Sequence, residues 1–273
     1  MMSLWNRVQA YRGRTTSSRP LEMAARSNRL RISAVSSAGD PLFRRAFTLY
    51  SAAFPPGERI GREYFRNLFE ESRLGLLAPF NFHFLVAHEG ERVLGFISGT
   101  YLAIANLGFV GYLAVRPSAA GRQVGSRLRH RLIQSVKRDA IAAGHSGLRG
   151  MMGEVEHGNP WLERMRRRGA LALDLDYFQP STDGTAVVPL VLYFQPASER
   201  RVRSLSASAL RQVLYAIYRR LYRIRFPLKQ PEFRRMLRQI QGRSRVGGRP
   251  LTCPAKPRAA RAKKIAKGIL RVE

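Results

Sequence analysis

The sequence is poor in cysteine and in acidic residues, and it has no long uninterrupted hydrophobic run. Its single cysteine, Cys253, excludes an intramolecular disulfide and a cysteine-based metal site. The longest apolar region, 101–115, is interrupted by polar residues and glycines and is shorter than the ~20 residues that a membrane-spanning helix needs. The five histidines lack metal-ligand spacing such as His-Glu-x-x-His. We therefore expect no metal site and no transmembrane segment, and the cysteine content fits a cytoplasmic location.

The shortage of acids leaves a large positive charge. Lys and Arg outnumber Asp and Glu by 48 to 18, which gives a formal net charge of +30. Much of the excess lies at the C-terminal end, because residues 198–273 hold 22 Lys and Arg against 3 Asp and Glu. Residues 1–30 are also basic and rich in Arg and Ser, as in a disordered tail, a segment downstream of a misassigned start, or a transit peptide. The sequence therefore predicts a nearly balanced central domain, 31–197, with basic ends.

Hydrophobic periodicity and turn residues predict the element order of the central domain. The order over residues 31–197 is β-α-α-β-β-β-α-β-α-β-β. Asp40-Pro41 and Asn159-Pro160 are helix-start signals, because an N-cap side chain is followed by proline at the first helical position. Strands and helices in this order indicate an α+β domain.

The stretch "VRPSAAGRQVGSRLRHRL", 115–132, joins a predicted strand to an arginine-rich helix through a loop of small residues. Backbone N–H groups in the first turn of a helix have no intrahelical partner, so a glycine-rich loop at that point can bind phosphate. Gly121 and Gly125 could equally serve only to turn the chain, and the residues alone leave both alternatives open.

The element order and this loop resemble the GCN5-related N-acetyltransferase (GNAT) superfamily over residues 31–196. The resemblance implies a three-layer α/β/α fold around a mixed, mostly antiparallel sheet, with acetyl-CoA as the acyl donor. Family members read Arg/Gln-x-x-Gly-x-Gly/Ala at the pyrophosphate loop, whereas this chain has "AGRQVG", so the first and fourth positions differ. At the fourth position, Gln123 is acceptable in helical backbone geometry but strained at positive φ.

The resemblance also implies which residues bind the donor. The strand before the loop would pair its backbone with the pantetheine arm, the loop and first helical turn would bind the pyrophosphate, and the later helix start would contribute one side chain. These residues are Leu113, Ala114, Val115, Ala120, Gly121, Arg122, Gln123, Val124, Gly125, Ser126 and Asn159. The family tyrosine that protonates the CoA thiolate falls here on Met165, which cannot donate a proton. Tyr177 is the candidate replacement, with packing in the core as its alternative role.

Two carboxylates are candidate general bases, which N-acetyl transfer needs because only a neutral amine is nucleophilic. Glu154 and Glu156 lie two residues apart on a predicted strand and would share one face of it. The alternative is a strand end that reaches solvent.

Within the C-terminal extension, 198–241, the stretch 206–226 carries apolar residues at three- and four-residue steps, which predicts an amphipathic helix. They are Leu210, Leu214, Ile217, Leu221 and Ile224. This helix could dock on the central domain, or bind nucleic acid or an anionic membrane through Arg219, Arg220 and Arg223. Residues 242–273 read as a disordered basic tail, able to bind nucleic acid or another polyanion weakly.

The predicted function is acetyl-CoA-dependent N-acetylation of a primary amine by direct attack with general-base assistance. No motif identifies the acceptor amine or the oligomeric state. The alternative is a binding protein on a catalytically degenerate GNAT fold whose basic ends hold nucleic acid or another polyanion.

Overall fold

The computed structural model describes residues 29–180, 187–197 and 202–249. The strands in this part of the chain are β1 (Arg31–Ala34), β2 (Phe82–Glu89), β3 (Arg92–Leu102), β4 (Leu107–Val115), β5 (Gly150–Val155), β6 (Leu171–Ala172), β7 (Tyr177–Gln179), β8 (Val188–Pro196), β9 (Ser204–Ser206) and β10 (Arg245–Gly247). The helices are α1 (Pro41–Ala53), α2 (Arg62–Arg73), α3 (Val124–Ala142), α4 (Pro160–Arg167), α5 (Ala207–Ala216) and α6 (Pro231–Ile240). A π-helical turn, Ile217–Leu221, continues α5 directly. The predicted element order of the central domain is confirmed, except that two short strands, β6 and β7, stand where one was expected.

One large sheet organises the molecule. Its strand order is β1-β2-β3-β4-β5-β8-β6, and β7 also pairs with β8. The pairing is antiparallel throughout except between β4 and β5, which are parallel. The predicted mixed, mostly antiparallel sheet is therefore confirmed.

Helices cover both faces of this sheet. Successive residues of a strand point to opposite faces, so Phe96 and Ile97 of β3 mark the two sides. Ile97 lies in an apolar cluster with Leu128 and Leu132 of α3, whereas Phe96 lies in a cluster with Phe43 of α1 and aromatic residues of α2. The three-layer arrangement is the predicted one, and it leaves α3 on one face with α1 and α2 on the other.

The C-terminal extension packs against the sheet. Leu210 and Ile217 of the extension share a hydrophobic cluster with Phe233 of α6 and with Leu192 and Phe194 of β8. The structure thus buries the apolar stripe of the extension on the central domain, in keeping with the docking interpretation.

The single amphipathic helix expected across this segment is wrong in its length. Helical structure ends with the π turn at Leu221, and Arg223 has a positive φ of 54°. Phe226 precedes Pro227, and a residue before proline is disfavoured in helical geometry. These backbone features break the pattern into α5 and α6.

The first residues of the predicted disordered tail are ordered in the structure. Val246 of β10 is fully buried, and β10 pairs with β9. Arg243 binds Asp174 at 3.1 Å and Arg249 binds Asp176 at 2.7 Å, so basic residues that look solvated by composition are neutralised here. The prediction is therefore wrong for 242–249.

Parts of the sequence-based expectations fall outside the described residues. The expectations for the N-terminal segment, 1–28, and for the end of the basic tail, 250–273, concern residues that the structure does not describe. Within the part of the chain that the structure describes, no helix is long and apolar enough to cross a membrane.

Candidate active site

The two parallel strands separate in the middle of the sheet. β4 pairs with β5 from Leu107 to Val110, opposite Gly150 to Gly153, and this pairing stops there in the described strands. Gly111 is the extra residue of a bulge against β3, after which β4 continues to pair with β3 as far as Val115. The side of β4 that faces β5 therefore presents unpaired backbone groups at 111–115. Leu113, Ala114 and Val115, the residues expected to pair with a pantetheine arm, line this opening.

The loop after β4 turns sharply into α3. Gly121 has φ of 77° and Gln123 has φ of 57°, both in the left-handed region. Among the described residues, no side chain caps α3, which begins at Val124. The backbone N–H groups of its first turn, including those of Gly125 and Ser126, therefore have no intrahelical acceptors. This geometry can bind an anion, as the sequence predicted for the phosphate loop.

Three residues of this loop, Gln123, Arg122 and Gly125, show what side chains at these positions can do. The position of Gln123 requires positive φ, so a side chain there costs about 1–2 kcal/mol that glycine would not. The Arg122 guanidinium binds the Glu89 carboxylate, so its charge is already matched within the protein. A Cβ built on Gly125 would meet Val115 at 3.5 Å, which is ordinary contact distance. The loop therefore has room for alanine at 125.

The other helix start near this opening is held by its own cap. The Asn159 Oδ1 atom accepts a hydrogen bond from the Trp161 N–H at 2.9 Å and so begins α4. Met165 of α4, at the position where the family tyrosine was expected, is buried in an apolar cluster with Leu162 and Tyr193. Met165 thus contributes packing, and the proton donor has to be sought elsewhere.

A cavity of about 470 Å³ lies on the sheet face opposite α3. Its sheet-side lining includes Ser98, Phe109, Gly111, Tyr112 and Glu154. Phe82 of β2 also lies on the sheet side, and Tyr64 contributes from α2. The C-terminal extension contributes Arg219, Arg220, Tyr222 and Arg223. The cavity therefore reaches from the strand opening to the extension.

Glu154 lies just beyond the point where β4 and β5 separate. Its Oε1 atom accepts a hydrogen bond from the Tyr177 hydroxyl, and its Oε2 atom accepts one from the Tyr222 hydroxyl at 2.6 Å. Burial raises the pKa of Glu154 to about 7, although the two hydrogen bonds act in the opposite direction. A carboxyl group with this pKa can take up and release a proton near neutral pH.

Glu156 does not share this environment. β5 ends at Val155, so Glu156 lies beyond the strand, and the expectation that both carboxylates stand on one strand face is wrong. Of the described residues, Glu154 but not Glu156 lines the cavity. Burial, with a smaller contribution from the Glu156 charge, raises the pKa of Glu58. The structure therefore puts Glu156 close to Glu58, while Glu154 faces the cavity.

Two tyrosines hold the Glu154 carboxyl group from different parts of the chain. Tyr177 of β7 is buried, and burial followed by the Glu154 charge raises the pKa of its hydroxyl well above the ordinary value. Tyr222 follows the π turn of the extension, and the sequence reasoning missed it. Its only local signal is a tyrosine in an arginine-rich segment, and nothing local connects it with a glutamate 68 residues away.

The wall that carries Tyr222 is fastened to α2. The Arg223 guanidinium binds Glu71 through two contacts, at 2.8 and 2.5 Å, and lies 4.9 Å from the centre of the Tyr64 ring. The Tyr64 hydroxyl donates to the backbone carbonyl of Leu221. These contacts fix the extension as one side of the cavity.

Comparison with known proteins agrees with this geometry. Residues 43–159 match the family model described as the acetyltransferase (GNAT) family. No curated protein sequence matches the chain. A solved structure from Bacteroides thetaiotaomicron, assigned to the GNAT acetyltransferases, superposes with a TM-score of 0.53 at 20% identity, covering 70% of this chain and 98% of its own. That likeness shows a shared fold.

Two further solved structures resemble the chain more weakly. The ribosomal-protein-S18-alanine N-acetyltransferase of Escherichia coli matches at 16% identity and a TM-score of 0.43, covering 63% of this chain and 96% of its own. A protein from Salmonella typhimurium, described as an acetyltransferase and solved with acetyl-CoA, matches at 16% identity and a TM-score of 0.44, covering 64% and 98%. The family match at residues 43–159 spans the strand opening, the phosphate loop and Glu154, so the GNAT acetyltransferase model covers this part of the chain.

Proposed function

We propose that the protein transfers the acetyl group of acetyl-CoA to a primary amine, with Glu154 as the general base. Acetyl-CoA is the donor substrate that belongs with this family, and the acceptor amine would occupy the cavity on the opposite face of the sheet. The observation that carries the proposal is the Glu154 carboxyl group, with a pKa of about 7, beside the opening between β4 and β5.

The donor would be held mainly by backbone groups. The N–H groups of the first turn of α3, including those of Gly125 and Ser126, would bind the pyrophosphate, since they have no intrahelical acceptors. In the loop before it, the N–H groups of Ala120 and Arg122 already donate to backbone carbonyls. The open side of β4 at Leu113, Ala114 and Val115 would accept the pantetheine arm. Asn159 starts α4 close to the same opening and would add a side-chain contact.

The acceptor would lose its proton to Glu154. At neutral pH most primary amines are protonated, and the ionised carboxylate can take one proton from the ammonium group. The neutral nitrogen then attacks the thioester carbonyl carbon, a C–N bond forms and the C–S bond breaks. The nitrogen releases its second proton to solvent, the CoA thiolate takes up a proton from solvent, and Glu154 later returns its own proton to solvent, so one proton is released for each acetyl group transferred. Tyr177 and Tyr222 would act as positioning residues, because their hydroxyl protons are already committed to the Glu154 oxygens.

Replacement of the proposed base tests this assignment. Glu154→Gln keeps the size of the side chain but removes proton acceptance, so turnover should fall by roughly 10²–10⁴-fold. Turnover is measured as release of the CoA thiol with a panel of primary amines, and acetyl-CoA affinity is measured by calorimetric titration. The affinity should stay near that of the parent, because Glu154 lies outside the phosphate loop.

Glu156→Gln is the matched control, since it removes a carboxylate two residues away that does not line the cavity. The control should keep most of its activity. Equal turnover by Glu154→Gln and the parent across a pH series would rule out Glu154 as the base.

A further inference from the structure

The cavity has two ends of different chemistry. Glu154, Tyr222 and Ser98 line the end next to the strand opening, where proton transfer would occur. Arg219 and Arg220 line the cavity from the π turn of the extension. An acceptor that fills the cavity would therefore meet carboxyl and hydroxyl groups at one end and guanidinium groups at the other.

Two of the three arginines on this wall carry uncompensated charge. Arg223 is neutralised by its two contacts with Glu71. Within the described ranges, Arg219 and Arg220 have no carboxylate within ion-pair distance, and the Arg220 guanidinium lies 4.9 Å from the centre of the Phe80 ring. Both arginines are exposed, so they are free to bind an anion with several N–H donors.

These charges lie far from the proposed phosphate loop. Arg220 stacks on the ring of Phe80, and Asn81 is the next residue. The Asn81 carbonyl accepts a hydrogen bond from the Tyr101 N–H, and Tyr101 pairs with Gly108 near the start of β4. The phosphate loop follows the other end of β4, after Val115, and the six residue-to-residue steps from Phe109 to Val115 span about 20 Å at the rise of a β-strand. The loop and α3 also belong to the opposite face of the sheet. Arg219 and Arg220 are therefore placed to contact the acceptor and not the donor phosphates.

Part of the remaining cavity wall is apolar. Leu68, Phe82 and Phe109 line this part of the cavity together with Leu76 and Leu77. An uncharged hydrocarbon or aromatic body would fit this lining, since burial of apolar surface is favourable.

We propose that the acceptor is a primary amine that carries, across an apolar body, a carboxylate or phosphate group bound by Arg219 and Arg220. This rests on the proposed function, because it assigns the substrate class of the same site. The C-terminal extension then serves as the specificity wall of the enzyme.

The test uses amines in matched sets of three. Each set shares one aromatic–alkyl amine body and ends in a carboxylate, a phosphate monoester or a neutral carboxamide. The parent enzyme should use an anionic member with kcat/KM roughly 10- to 100-fold above the carboxamide, as expected for a charge-assisted hydrogen bond. The ratio of carboxylate to phosphate shows which anion the site takes.

The double variant Arg219→Gln, Arg220→Gln should remove this preference. Its kcat/KM for the carboxamide should change far less than its kcat/KM for the anionic members, and its affinity for acetyl-CoA should stay close to that of the parent. Arg225→Gln is the matched control, because Arg225 belongs to the same segment but stacks on Phe226 and does not line the cavity. This control should keep the preference of the parent.

A binding measurement separates failure of the inference from failure of the proposed function. The N-acetylated sets are titrated calorimetrically into CoA-saturated protein, which requires no turnover. Tighter binding of the anionic members that disappears in the double variant supports the anion site even if no amine is acetylated, an outcome that would count against the proposed function alone. Equal binding and equal kcat/KM across each set overturn the inference while leaving acetyl transfer intact.

Discussion

The phosphate loop and the acceptor cavity lie on opposite faces of one sheet, and they are built from different parts of the chain. The loop consists of consecutive residues, 120–126, and in the proposed function its backbone groups would bind the donor. The cavity takes side chains from α2, from five strands of the sheet and from the extension, so residues as far apart as Tyr64 and Tyr222 meet there. A backbone site can therefore be encoded locally, whereas a side-chain site depends on the complete fold.

The largest expected effect concerns the loop. Gly125→Glu brings bulk and a negative charge to backbone that would contact phosphate oxygens, so acetyl-CoA binding should disappear in calorimetric titration. Gly125→Ala is the control, because a Cβ at this position would lie at an ordinary contact distance from its nearest neighbour. The alanine variant should bind acetyl-CoA nearly as the parent does. A folded Glu variant that binds acetyl-CoA like the parent would contradict the role of the loop and reduce it to a structural turn.

The next largest effect concerns Glu154, and it is a change in the free energy of unfolding with pH. The pKa of Glu154 rises from 4.5 to about 7 on folding, so the folded state favours the protonated form. The protonated group is compatible with burial at low pH, and stability is lost as pH rises through 7. Glu154→Gln has no such loss, so its stability relative to the parent should grow by about 2 kcal/mol between pH 5.5 and pH 8.

Urea denaturation of both proteins at several pH values measures this difference. Glu156→Gln again serves as the control and should follow the parent more closely. A constant difference between Glu154→Gln and the parent across this pH range would mean that the Glu154 carboxyl group titrates with an ordinary pKa.

The link between extension and base should appear in the pH profile. In the parent, the hydrogen bond from Tyr222 lowers the pKa of Glu154. Tyr222→Phe removes this hydrogen bond, so the pKa of Glu154 should rise. The ionised base is needed for catalysis, and the acid limb of kcat/KM should therefore move to higher pH by about one unit, the size expected for a charge-assisted hydrogen bond.

Tyr215→Phe provides the control, because Tyr215 lies on α5 of the same extension but is exposed. Its profile should match the parent. A Tyr222→Phe profile that loses height at every pH without moving would indicate that Tyr222 shapes the cavity and does not tune the base.

The sequence could predict those features that depend on neighbouring residues. The glycine loop, the two Asn/Asp-Pro helix starts and the carboxylate at the end of β5 all follow from short patterns. The hydrogen bond from Tyr222 to Glu154 could not be predicted, because it depends on how the extension breaks at the π turn and docks. The order of 242–249 was missed for the same reason, since Asp174 and Asp176 neutralise Arg243 and Arg249 only in the folded chain.

The smallest expected effect tests whether the stability of the loop depends on its backbone conformation alone. Gln123 has φ of 57°, where a side chain is disfavoured, so Gln123→Gly should stabilise the protein by about 1 kcal/mol after the greater flexibility of glycine in the unfolded chain is subtracted. Gly121→Ala is the matched opposite change, because Gly121 has φ of 77° and open space around it, and it should destabilise by a similar amount. Urea denaturation at one pH measures both, and calorimetry should give acetyl-CoA affinity at least equal to the parent for Gln123→Gly. If Gln123→Gly were instead less stable, the Gln123 side chain would have to contribute contacts that outweigh its backbone strain, and the loop would then depend on side chains as the acceptor cavity does.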